Sequence, residues 1–147
     1  MPLVGSFMED ERVHRQNLAD AINKLADARL VSLFTRDLTL AAGLQSITGV
    51  GFRPKVILFF ANIDSAPQMS ICANDARTNA GEGIQDYSGI VADSYQLVQN
   101  VSVILTVNST TRSFASLSSI DADGFTLSWQ KDGSPTGTAA VGYLAWA

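Results

Sequence analysis

The chain is poor in the side chains on which most enzyme mechanisms depend. It has one cysteine, Cys72, and one histidine, His14, in 147 residues. A single Cys excludes an internal disulfide framework and a thiolate-rich metal cluster. Cys72 stands in Met69-Ser70-Ile71-Cys72-Ala73, an apolar strand-like run, and is read as a small buried hydrophobe rather than a reactive thiol. His14 lies between Val13 and Arg15 in a charged helical stretch. It is read as a solvated helix side chain, which a Ser-His-Asp triad would have to bring onto another part of the fold. The Gly-x-Ser-x-Gly, P-loop and dinucleotide-binding patterns are absent. Asp121-Ala122-Asp123-Gly124 invites a test as a calcium loop. It fails, because an EF-hand needs oxygen ligands at positions 1, 3 and 5, Gly at 6 and Glu at 12. Position 5 is Phe125, Gly comes at position 4, and position 12 is Asp132. A hairpin turn explains the segment better. Aromatic residues are only 8% of the chain, and no aromatic-rich glycosidase cleft is evident. The expectation is a protein that is not an enzyme, with no metal and no cofactor.

Basic charge is scarce as well. Ten Lys+Arg face fourteen Asp+Glu, for a net charge of -4. Phosphate contacts need clustered cations, so no nucleic-acid partner is expected. The longest apolar run is Val56-Ile57-Leu58-Phe59-Phe60-Ala61, far short of the roughly 18 residues of a membrane span. No basic start leads into a long apolar stretch, and acidic Glu9, Asp10 and Glu11 oppose a transit peptide. Synthesis and use in a cytosol are the expectation.

What the chain does have is apolar material in two different periods. Hydrophobic residues are 46% and charged residues 16%, as in a globular domain. Residues 6 to about 34 read as a helical arm. Ser6-Phe7-Met8-Glu9 is a capping-box pattern, and Leu18, Ala21, Leu25 and Ala28 recur at spacings of three and four, with Ile22 broadening the stripe. From about residue 35 the period is two. Val101, Val103, Leu105 and Val107, then Phe125, Leu127 and Trp129, then Val141, Tyr143 and Ala145 alternate along their segments, as on half-buried antiparallel strands. Strands are predicted at roughly 36–42, 44–49, 54–62, 68–74, 87–97, 100–107, 112–120, 124–130 and 139–146, divided by Gly- and Asn-rich turns such as Asn79-Ala80-Gly81. Val56 to Phe60 is continuously apolar and predicts a central strand covered on both sides. The fold class expected is mainly β: an antiparallel, jelly-roll-like β-sandwich over 35–147, with an N-terminal α-helical arm over 1–34.

Several of these residues also carry a family likeness. Gly49-Val50-Gly51-Phe52-Arg53-Pro54-Lys55-Val56-Ile57-Leu58-Phe59-Phe60 resembles the opening strand of a β-sandwich domain of small phage virion proteins. Asp121-Ala122-Asp123-Gly124-Phe125-Thr126-Leu127-Ser128-Trp129 looks like its late hairpin, and Gly142-Tyr143-Leu144-Ala145-Trp146 like its closing strand. The layout is also similar to that of H-type lectins, trimeric six-stranded sandwiches that bind N-acetylgalactosamine. This chain departs from those by a longer middle and its arm, and no sugar-contact motif of theirs matches here residue by residue.

The resemblance implies a virion part, made in the host cytoplasm and often trimeric. The short arm favours a capsid decoration (cement) protein on the head surface, with the major capsid protein lattice as partner. Leu18, Ile22 and Leu25 on the arm and the penultimate Trp146 are the candidate oligomer or capsid contacts. The arm's apolar stripe has a plainer alternative role, covering an open side of its own sandwich. The alternative function is a tail-fibre receptor-binding protein for host glycan. In that reading the loops at 62–67, 75–86 and 108–112 form the site, and Asn79, Glu82, Gln85, Asp86 and Tyr87 supply hydrogen bonds.

Overall fold

The computed structural model describes residues 12–20, 29–64, 66–75, 80–86 and 95–147. Residues 12–20 are helical. Ten strands follow: β1 (Arg29–Asp37), β2 (Gly43–Thr48), β3 (Val56–Ile63), β4 (Ala66–Asp75), β5 (Ala80–Asp86), β6 (Tyr95–Gln99), β7 (Val103–Asn108), β8 (Thr111–Asp121), β9 (Gly124–Asp132) and β10 (Thr138–Trp146). They form a six-stranded sheet in the order β1-β10-β3-β4-β5-β6 and a four-stranded sheet in the order β2-β9-β8-β7. Every pairing is antiparallel. The molecule is the expected mainly β sandwich.

Alternation fixes which side of each strand faces inward. Phe125, Leu127 and Trp129 on β9 are buried, as are Val141, Tyr143 and Ala145 on β10 and Ile57, Phe59, Ala61 and Ile63 on β3. They meet in one core between the sheets. An aromatic chain ties the layers together. Phe125 of the small sheet stands edge-on to Phe59 at 5.5 Å and to Tyr143 at 5.2 Å in the large sheet, and Phe34 of β1 adds to Tyr143 at 6.1 Å. Edge-to-face pairs suit the ring quadrupoles, so these contacts orient the two sheets as well as bury area. Trp129 lies beneath the Arg36 guanidinium at 5.5 Å.

The hairpin at Asp121-Ala122-Asp123-Gly124 joins β8 to β9. The Asp123 carboxylate accepts hydrogen bonds from the backbone amides of Gly49 (3.0 Å) and Gly51 (2.6 Å). It therefore pins the 49–51 turn. Gly124 has φ +156°, and a Cβ there would run into the Ile47 carbonyl, so only glycine fits.

Four expectations need correction. The arm does not stay helical to residue 34: Arg29–Phe34 belongs to β1, which pairs with β10 along its whole length. Leu30 and Phe34 pack on the core while Val31 and Leu33 point outward, so both faces are apolar and the period of two is hidden. The strand expected at 36–42 thus begins earlier and ends at Asp37. Next, β3 is central in its sheet but not covered on both sides, because Val56 and Phe60 remain 40% and 38% exposed. Third, Ala80-Gly81 is not a turn but the start of β5. Fourth, the strand expected at 87–97 is seen as β6 at its far end, with 87–94 outside the described residues. The Ser6–Glu9 capping box also lies outside them.

Candidate functional site

Three surfaces present chemistry. The first is the helix. All nine residues 12–20 are exposed, including Val13 at 49% and Leu18 at 57%, with Gln16 donating to Asp20 across one turn at 3.1 Å. The described part of the arm therefore does not cover an open side of its own sandwich. His14 is among these exposed residues, as expected. Ile22 and Leu25 lie outside the described residues.

The second is the outer face of the six-stranded sheet. Pairing aligns Leu33, Gly142, Phe60, Ile71, Ile84 and Leu97 in one row across all six strands. The next row reads Val31, Leu144, Leu58, Ala73, Glu82 and Gln99. Leu97, Leu33 and Val31 are 79%, 73% and 71% exposed. Trp146 is on this face beside Val56 and is 36% exposed. Glu82 is here too, on a strand rather than in a loop. A run of exposed apolar residues this wide marks an interaction surface. The sequence signal is the continuous apolar run of β3, which on its own predicts burial on both sides.

The third is a polar pocket of about 240 Å³ where β5 and β6 approach the β7–β8 turn. It is lined by Gln85, Gln96, Thr106, Asn108, Ser109, Thr110, Arg112 and Asp132. Gln85 is buried, and its amide is held at both ends: Thr106 Oγ1 donates to Oε1 at 2.8 Å, and Nε2 donates to Gln96 Oε1 at 2.7 Å. Asn108 Oδ1 accepts from the Thr110 amide and hydroxyl, which shapes the turn. Arg112 pairs with Asp132 at 2.5 Å, its register partner on β9, and lies over Phe114. The wall thus offers amides and hydroxyls around a neutralised ion pair. That chemistry suits an uncharged polyhydroxylated ligand better than an anion or an apolar one.

Of the loop candidates, Gln85 lines the pocket, Glu82 points to the opposite face of the sheet, and Asp86 ends β5 opposite Tyr95. Asn79 and Tyr87 lie outside the described residues. Cys72 is buried, and burial pushes its thiol up to about 11. Among the described residues no group of three His, Cys, Asp or Glu is placed to hold a metal ion, and no helix is long and apolar enough to cross a membrane. No family model, curated protein or solved structure matches the chain.

Proposed function

We propose that the protein is a virion structural component that docks on the assembled phage head as a decoration protein and performs no chemistry of its own. The observation that supports this reading is the arm. A helix with exposed Val13 and Leu18 precedes the edge strand β1 in the chain, and all its described side chains are exposed, as a docking element's would be. The sequence stripe continues it through Ile22 and Leu25. Binding only the assembled lattice stabilises that lattice by mass action.

The test is cosedimentation of the purified protein with empty, undecorated capsids, with copies counted by densitometry. The expected result is hundreds of copies per particle, lost when residues 1–28 are removed. Absence of binding, or binding unchanged by that deletion, would overturn the reading.

The polar pocket favours a second reading, recognition of host glycan by a tail protein. A glycan array with the intact protein checks it. Reproducible sugar binding that disappears in Gln96→Ala supports that reading over decoration, and a blank array removes it.

A further inference from the structure

We infer that the outer face of the six-stranded sheet is covered by a second copy of this chain, two outer faces packing together about a two-fold axis that runs parallel to the strands between β3 and β4. This goes beyond the decoration reading and does not depend on it.

Three observations carry the inference. The first is composition. Across the two rows that span the sheet, the only charged side chain is Glu82, and the flanking row at Val56 adds Asp75 on β4. A partner for such a surface must itself be broad, flat and apolar, and this face is one.

The second is area. Neighbouring strands are about 4.8 Å apart, so β1 and β6 are separated by about 24 Å. Outward residues on β3, from Val56 to Asn62, add about 20 Å in the other direction. The flat area is about 500 Å² per copy and about 1,000 Å² for the pair, the size at which specific interfaces begin.

The third is shape. The two ends of the face differ in relief. At the β1 end Val31 and Leu33 project, each more than two-thirds exposed. At the other end Leu97 projects as well, 79% exposed, at the rim of a shallow hollow of about 250 Å³ over β5 and β6 that Glu82, Gly83, Ile84, Val98 and Gln99 also line. The proposed axis reverses the strand order. It therefore sets Leu33 of each copy over the hollow of the other, near Leu97, and places Phe60 over Ile71 at the centre. An isologous contact of this kind is closed at two copies.

The experiment is sedimentation velocity on the intact chain over a hundredfold concentration range, in parallel with Phe60→Lys. Phe60 is 38% exposed, so a lysine there leaves the sandwich folded, which circular dichroism verifies. The expected result is a dimer for the wild type and a monomer for the variant. A wild-type monomer at high concentration, a trimer, or a dimer that Phe60→Lys leaves intact would each overturn the proposal.

A second measurement does not rely on weakening the contact. Leu33→Cys with Leu97→Cys in one chain places the two introduced thiols about 24 Å apart within a copy but together across the axis. Facing sheets stand about 10 Å apart, too far for a direct disulfide, so a short bis-maleimide is used; it is expected to crosslink the double variant into a dimer and to give little from either single variant. No crosslinked dimer from the double variant, or equal crosslinking of all three, would refute the stated arrangement. Neither measurement involves capsids, so failure here is distinct from failure of the decoration reading.

Discussion

Phe125 occupies the point where the two sheets are held in register. It is fully buried and touches Phe59 and Tyr143 edge-on from the opposite layer. Removing the ring leaves a cavity that stiff strands on both sides cannot collapse. Phe125→Ala is expected to cost about 3–5 kcal/mol in urea unfolding, within the range for large aromatic truncations. Cys72 illustrates a different residue-scale effect. Its thiol is pushed up to about 11 by burial, with the hydrogen bond to Ser70 a smaller opposing influence. A raised folded-state value means the neutral thiol is favoured by folding. That contribution is whole below the unfolded value of about 8.5 and fades as pH rises toward 11. At pH 8 the folded protein should therefore resist a thiol reagent that labels the urea-unfolded chain at once. Rapid labelling of the native protein would show that the strand opens locally. Both buried residues were readable in the sequence, because each sits in a segment whose alternation or apolar setting has only one interpretation.

At the scale of elements, legibility depended on whether one face of the strand was polar. On β8 and β9, Ser and Thr separate the apolar residues, and both strands could be placed closely. On β1 the sequence Leu30-Val31-Ser32-Leu33-Phe34 is apolar on both faces, so it read as the end of a helix. The glycines of β5 read as turn residues for a related reason. A Cβ on Gly83 would collide with the Ile71 carbonyl and with Cys72, so the close approach of β4, invisible in sequence, selects glycine inside a strand. The polar pocket was half legible: Gln85 could be nominated from its loop-like setting, but Gln96, Thr106 and Arg112 come together only through the pairing of β5 with β6 and of β7 with β8. The corrected boundary makes a sharp prediction. A chain beginning at residue 29 keeps β1 and should unfold cooperatively, as the full chain does. A chain beginning at residue 38 loses the partner of β10 together with Leu30 and Phe34. It is expected to be far less stable or to aggregate, because β10 becomes an uncovered edge. Equal melting temperatures for the two truncations would place the structural boundary after β1.

For the whole molecule, the distribution of polarity says how its surfaces divide their work. The pocket gathers amides and a neutralised ion pair at one side of the sandwich, helix residues 12–20 are all exposed, and one row of the large sheet's outer face is apolar from β1 to β6. If that face meets its copy, the forces holding the dimer follow from its composition. Apolar burial near room temperature is driven mainly by entropy, so association should tighten as temperature rises from about 5 to 25 °C. Screening acts on charges, and the charged side chains in this area are Glu82 and Asp75; the two-fold axis sets them over Leu144 and Val56 of the other copy. Raising the salt from about 0.05 to 1 M should therefore leave the dimer intact. Glu82→Leu should strengthen it, because a carboxylate facing an apolar row is desolvated without a partner in return. The dissociation constant from sedimentation equilibrium, taken across temperature, salt and that variant, checks all three. A constant that climbs steeply with salt, or one that Glu82→Leu weakens, would mean that charged groups hold the copies together and that the apolar rows face something else.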